Sequence, residues 1–159
     1  ACPVIIDADG INSIAGNIDV LKERTGDTIL TPHPLEFSRM TGLSIAQIQS
    51  DRLNAAKGFA QEYGVTLLLK GADTVIAAPD GRACVNSRAC SGLSKGGSGD
   101  VLTGIIGAFT AQDVEPFRAA CAGAYCHWKA ADILCARMPA ESILPTDIIA
   151  ALPEVYSQK

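Results

Sequence analysis

Apolar positions in this chain fall into short runs separated by longer amphipathic stretches. Val4 to Ala8, Thr28 to Thr31 and Val65 to Leu69 are too short for helices and rich in β-branched residues or Leu, which predicts three buried strands. Ile11 to Arg24 predicts a helix closed by Gly26 as its C-cap. Ser44-Ile45-Ala46-Gln47 has the form of a capping box. From there Ile45, Ile48, Arg52, Ala56, Phe59 and Tyr63 keep a helical period up to Gly64. Asp73 to Ala77 and Ala83 to Val85 flank Pro79-Asp80-Gly81, a turn signal that predicts a hairpin. Val101, Leu102, Ile105, Ile106 and Phe109 share one face of a helix over Asp100 to Ala111. Glu115 to Arg137 has helical spacing throughout and is so rich in Ala, Gly and Cys that burial on more than one side is expected. Pro145-Thr146 opens a last helix through Ala151. Strands alternating with helices predict an α/β fold whose mostly parallel sheet is covered on both faces.

Composition narrows the class. Hydrophobic residues make up 48% of the 159 residues and charged residues 19%, so residues 1–159 read as a single domain able to build a core, and disorder is excluded. The net charge is 13 − 17 = −4, with no cluster of Lys or Arg, which argues against binding nucleic acid or an anionic membrane surface. Apolar stretches are interrupted by charged residues before they reach bilayer length, and no signal-peptide pattern is present. Six cysteines lack the spacing of a zinc site and sit mostly among Ala and Gly, as reduced thiols of a cytoplasmic protein do. Ala1-Cys2-Pro3 runs directly into a strand with no helix or cap before it, so the chain is expected to open in the middle of a fold.

Four segments carry candidate chemistry. Asp7 and Asp9 end the first strand, the place where sites gather in parallel sheets. Gly96-Gly97-Ser98-Gly99-Asp100 precedes an apolar helix, where converging backbone N–H groups and the helix dipole make an anion hole suited to phosphate or an oxyanion. It is neither a Walker loop, lacking the Lys-Ser/Thr pair, nor a dinucleotide fingerprint, lacking the spacing. Asp100 beside that hole can take the proton of a hydroxyl attacking a phosphoryl group, the competing reading being a plain capping Asp. Lys70-Gly71-Ala72-Asp73-Thr74 joins two strands and can present a cation and a hydroxyl to a phosphate. In Thr31-Pro32-His33-Pro34-Leu35-Glu36 two prolines hold one His at a strand end, whereas His127 lies in a helix and reads as a packing or surface residue.

Taken together and in this order, these segments with Asp7-Ala8-Asp9-Gly10-Ile11-Asn12 and Gly96 to Ile106 closely resemble the ADP/ATP-dependent NAD(P)H-hydrate dehydratases. The resemblance implies a ribokinase-like three-layer α/β/α sandwich, with a β-hairpin, of which this chain is the C-terminal part. It implies dehydration of hydrated NADH or NADPH at the expense of ADP or ATP, with Mg²⁺; the choice of donor is left open by the sequence, the resemblance favouring ADP. Carried over by position, His33 and Asp100 contact the hydrate, Asp100 is the base, and Lys70, Gly71, Ala72, Asp73, Thr74 and Gly99 bind the nucleotide. By the same resemblance Gly97, Ser98 and Gly99 supply the anion hole, and Glu36 helps hold Mg²⁺ through water. Leu35 stands where the family usually has Gly, and Lys95 where Thr is common. Family domains are longer, and the missing part is expected to be N-terminal, leaving open a fused epimerase domain and a homo-oligomer. Two alternatives remain: a kinase of a small hydroxylated metabolite on the same fold, and a catalytically inactive fragment.

Overall fold

The computed structural model describes residues 2–157, so Ala1 of the expected mid-fold opening lies outside the described residues. Strands β1 (Val4–Ile6), β2 (Thr28–Leu30) and β3 (Thr66–Leu69) are parallel neighbours. The hairpin β4 (Thr74–Ala77) and β5 (Ala83–Asn86) extends the sheet in the order β1-β2-β3-β4-β5, and only β4 runs against the rest. Its turn follows the Pro-Asp-Gly signal: Gly81 takes φ 90, and the Arg82 N–H donates to Asp80 Oδ1 at 3.0 Å.

Successive strand residues point to opposite faces. Leu30, Leu67, Leu69, Val75 and Ala77 join one buried cluster with residues of α1 (Ala8–Ile14), α2 (Pro34–Thr41), α3 (Ile45–Ser50) and α4 (Arg52–Tyr63). Ile29, Leu68 and Ile76 join another with Leu102 and Ile106 of α5 (Ser98–Thr110) and Ala119, Ala120 and Ala124 of α6 (Pro116–Cys135). A third cluster seats α7 (Pro145–Ser157) on α5 and α6 through Ile148, Ala151 and Val155. Helices thus cover both faces of the sheet, which is why the strands read as unbroken apolar runs rather than alternating ones.

Four boundaries depart from the periodicity. The predicted helix over Ile11 to Arg24 is α1 followed, beyond Gly16 and Asn17, by a 3₁₀ segment over Ile18–Glu23, so Gly26 caps nothing. Ile18 and Leu21 are three apart, a spacing that a 3₁₀ turn stacks on one side. The predicted helix from Ile45 to Tyr63 breaks at Asp51, whose φ of −152 leaves the helical region while its carboxylate accepts from the Asn54 N–H at 3.2 Å to start α4. Pro34 does not only stop a strand but occupies the first turn of α2, where its missing N–H costs nothing. Finally α7 runs past Ala151 and through Pro153 to Ser157, its last turn held on the core by buried Val155.

Close packing of α5 on α6 depends on one glycine. A Cβ on Gly123 would stand 2.5 Å from Ile106 Cγ1 and 3.5 Å from the Ile106 backbone N and Cα. Gly123→Val is therefore expected to destabilise the fold by about 1–3 kcal/mol through overpacking. A urea midpoint equal to that of the parent protein would show that the two helices can part here.

Candidate active site

Because β1, β2 and β3 are parallel, the segments that leave their carboxyl ends meet on one edge of the sheet. Backbone hydrogen bonds carry the pairing past the strands: the Thr31 N–H donates to the Ile6 carbonyl at 3.2 Å and the Lys70 N–H to the Pro32 carbonyl at 2.8 Å. There Asp7 Oδ1 accepts from Lys70 Nζ at 2.8 Å, and Asp7 Oδ2 from Thr103 Oγ1 at 3.0 Å. Burial on its own would raise the Asp7 carboxyl, but the Lys70 ammonium and the Thr31 and Thr103 hydroxyls outweigh it and hold the group below its ordinary range. Asp9 is exposed, one residue into α1.

Lys70 to Thr74 form the turn between β3 and β4, closed by Thr74 Oγ1 donating to the Gly71 carbonyl at 2.9 Å. Arg52, the first residue of α4, fastens this turn from behind. Its guanidinium donates to the carbonyls of Leu69 at 2.9 Å and of Lys70 and Asp73 at 3.1 Å. A Cβ on Gly71 would come within 2.7 Å of Arg52 Nη2, so the clamp leaves room for glycine there.

The glycine-rich segment turns into α5 at Gly97, which takes φ 88. The Ser98 N–H is used by the Lys95 carbonyl at 3.2 Å, whereas the Gly99 and Asp100 N–H groups have no carbonyl acceptor among the described residues. Gly99 faces the Asp7–Lys70 pair, a Cβ placed on it lying 3.5 Å from both Asp7 Oδ2 and Lys70 Nζ. Two open N–H groups, the positive end of α5 and the Lys70 ammonium converge here, an arrangement suited to a phosphate. Asp100 is exposed on the same first turn. The Lys95 side chain reaches away to the Glu141 carbonyl.

Under the turn, buried Ser98 Oγ and His127 Nε2 share a hydrogen bond of 3.0 Å. Burial, with the nearby Lys70 ammonium, pushes the imidazole down to about 4 against the opposing contact with Ser98. A His that must stay neutral to fold gives stability that is complete above its unfolded value near pH 6.5 and lost as pH falls toward 4, about 3 kcal/mol in all. Denaturation midpoints measured across that window are expected to fall in the parent protein and to flatten in His127→Gln. Parallel curves would mean that His127 is protonated in the fold.

A cleft of about 460 Å³ opens beside this cluster. Lys70, Gly71, Ala72 and Thr74 line it together with Ser98, Gly99 and His127, and the segment from Arg88 to Ser94 forms much of the far wall. Asp73, Gly97 and Asp100 border these residues in sequence without lining the cleft, and neither His33 nor Glu36 lines it. His33 instead caps α2: its Nδ1 accepts from the Leu35 and Glu36 N–H groups, both at 3.1 Å. In return Glu36 Oε2 accepts from the His33 N–H at 2.7 Å, and Oε1 lies 3.3 Å from His33 Nε2. Leu35 is exposed on the first turn of α2 and joins the cap through its backbone N–H alone. Both Glu36 oxygens are thus engaged, and among the described residues no group of three or more His, Cys, Asp or Glu side chains could hold a metal ion. A Mg²⁺ held by a nucleotide's phosphates and reached by Glu36 only through water needs no such group.

Sequence inspection singled out neither Arg52 nor Thr103, and took His127 for a packing or surface residue. Arg52 did leave a signal, since a cation in the first turn of a helix opposes the dipole and needs acceptors elsewhere. Thr103 and His127 left none, because their partners Asp7 and Ser98 are 96 and 29 residues away.

The chain resembles known proteins in both sequence and fold. The sequence profile described as NAD(P)H-hydrate dehydratase matches residues 1–154. The bifunctional NAD(P)H-hydrate repair enzyme Nnr of Escherichia coli K12 is 44% identical over 98% of the chain, which spans 29% of that protein. An ADP/ATP-dependent NAD(P)H-hydrate dehydratase from Bacillus subtilis, co-crystallised with ATP and Mg²⁺, superposes with a TM-score of 0.86 at 36% identity, covering 99% of this chain and 55% of that one. A ribokinase-like superfamily protein from Enterococcus faecalis does so with a TM-score of 0.80 at 29% identity, over 98% and 53%. The three-layer fold is accordingly ribokinase-like, and the chain spans about half the length of those solved structures or less of the bifunctional relative. With the profile running along nearly its whole length, the chain belongs to the NAD(P)H-hydrate dehydratase family.

Proposed function

We propose that this chain supplies the adenine-nucleotide side of an ADP- or ATP-dependent NAD(P)H-hydrate dehydratase, a hydro-lyase that restores hydrated NADH or NADPH. The observation that carries the reading is the convergence of Lys70, held by Asp7, with the open N–H groups of Gly99 and Asp100 at the edge of the cleft. Lys70, Gly71, Ala72, Asp73 and Thr74 with Gly99 bind the nucleotide, and the open N–H groups of Gly99 and Asp100 in the first turn of α5 meet the charge of the phosphoryl group in transfer. Asp100 takes the proton of the ring hydroxyl as its oxygen attacks the terminal phosphorus. The ring C–O bond then breaks with phosphate as the leaving group, the neighbouring ring carbon gives up a proton to solvent, and the C=C bond so formed restores the reduced nicotinamide ring. His33 contacts the hydrate from the end of β2. A Mg²⁺ would be held chiefly by the nucleotide's phosphates, with Glu36, whose carboxylate caps α2, reaching it through water.

In this reading the chain is the C-terminal portion of one ribokinase-like domain, and its covering only part of each relative supports a longer native protein. A fused epimerase domain accords with the bifunctional name of the E. coli relative. Six unbridged thiols accord with a reducing cytoplasm, and no helix among the described residues is long and apolar enough to cross a membrane. The test is to incubate the purified protein with hydrated NADH and ADP or ATP. Recovery of the reduced-nicotinamide absorbance with stoichiometric release of inorganic phosphate is expected. A phosphorylated product that accumulates without that recovery would identify a small-molecule kinase instead.

A further inference from the structure

Cysteines on two segments face each other in this fold. Cys84 lies on β5 and Cys90 on the loop that follows it, while Cys121 and Cys135 lie on α6. Cys90 Sγ and Cys135 Sγ are 3.1 Å apart although 45 positions separate them in sequence. That contact is about 1 Å longer than the S–S bond of a disulfide. Cys90 lines the cleft within the Arg88 to Ser94 wall, which has no regular structure apart from one 3₁₀ turn, Ser91–Leu93. Cys135 is exposed at the end of α6, so a small oxidant can reach the pair. Gly92 lets the wall settle this close. A Cβ on it would stand 3.5 Å from each of the two sulfurs and 2.7 Å from Ile143 Cδ1.

We propose that Cys90 and Cys135 form a redox-modifiable dithiol, which a peroxide converts into an intramolecular disulfide that pins the 88–94 wall of the cleft to α6. In the first step a thiolate sulfur attacks one peroxide oxygen, the O–O bond breaks, and with one proton the products are a sulfenic acid and water. In the second step the partner thiol attacks the sulfenic sulfur, the S–O bond breaks, and its proton leaves with the hydroxyl as a second water. Two thiols and one hydrogen peroxide thus give one disulfide and two waters. Whichever of the two thiols is oxidised first has its resolving partner 3.1 Å away, Cys90 on the irregular wall of the cleft and Cys135 at the end of α6. Cys84 and Cys121 make a weaker candidate, because burial and the Cys84 thiol push Cys121 up to about 12 and leave it little thiolate.

The test oxidises the purified protein with hydrogen peroxide, alkylates the remaining thiols and maps peptides without reduction. A reductant-sensitive Cys90–Cys135 peptide is expected as the dominant product. Amide hydrogen exchange across residues 88–94 is expected to slow at least about tenfold in the oxidised parent protein and not in oxidised Cys135→Ser. Cys90 carried to sulfinic acid without a cross-link, a Cys84–Cys121 link instead, or a Cys90–Cys135 link that leaves exchange unchanged would each overturn the proposal. The pinned wall is also expected to slow release of a fluorescent ADP analogue about tenfold, a consequence that rests on the nucleotide reading above. Absence of ADP binding in a protein that still forms the link and protects the wall would overturn that reading alone.

Discussion

Asp100→Asn is expected to lower turnover by about 100- to 10,000-fold while leaving adenine-nucleotide affinity within about twofold of the parent protein. Asn keeps the size of the side chain and its capacity to accept hydrogen bonds at the first turn of α5, so the helix is retained. It cannot take up the hydroxyl proton. The Gly99 N–H and Lys70 are untouched, which is why binding of ADP should survive. Single-turnover measurements with ADP titrated by calorimetry separate the two effects. Loss of turnover and affinity in equal measure would mean that Asp100 caps the helix and does no chemistry.

A comparable loss, this time in binding, is expected from Lys70→Met, which removes the cation nearest the open N–H groups. A charge-assisted contact to phosphate is worth about 1.5–3 kcal/mol, so ADP affinity is expected to fall about 10- to 100-fold. The same change strands Asp7, whose side chain is 11% exposed and would keep only hydroxyl partners. Breaking a fully buried pair costs about 3–5 kcal/mol, and the 23% exposure of Lys70 reduces that to about 1–3 kcal/mol. Adding Asp7→Asn removes the stranded charge. The double variant is therefore expected to recover most of the lost stability and none of the lost affinity. Recovery of both would place the role of Lys70 in the fold, and unchanged affinity in the single variant would remove it from the nucleotide site.

Much of the fold was legible because its causes are local. Each strand needs only a run of three or four mostly apolar residues, and the hairpin needs only Pro79-Asp80-Gly81 between two such runs. Helix boundaries were read less well, for the reason that a boundary is a competition. At Asp51 a side chain that caps α4 outweighs a hydrophobic period running straight through it. At Gly16 and Asn17 two residues with weak helical preference suffice to let the chain fall into a 3₁₀ turn. At Pro153 the burial of Val155 overrides a strong local stop.

The same division runs through the candidate site. From sequence came the segments that carry chemistry, since a glycine-rich turn before an apolar helix or a Lys after a buried strand has meaning wherever the chain goes. Tertiary structure decided which of their atoms are available. It assigned the His33 Nδ1 and both Glu36 oxygens to the cap of α2, directed the Ser98 N–H to Lys95, and left the Gly99 and Asp100 N–H groups open. It brought Asp7 to Lys70 across 63 positions, Cys90 to Cys135 across 45, and set the Arg52 guanidinium against three carbonyls. Propensity, turn chemistry and hydrophobic period act over a few residues and are written along the chain. A hydrogen-bonding atom has only a few partners, and which ones it meets is settled only when the sheet and its two helical layers close around it.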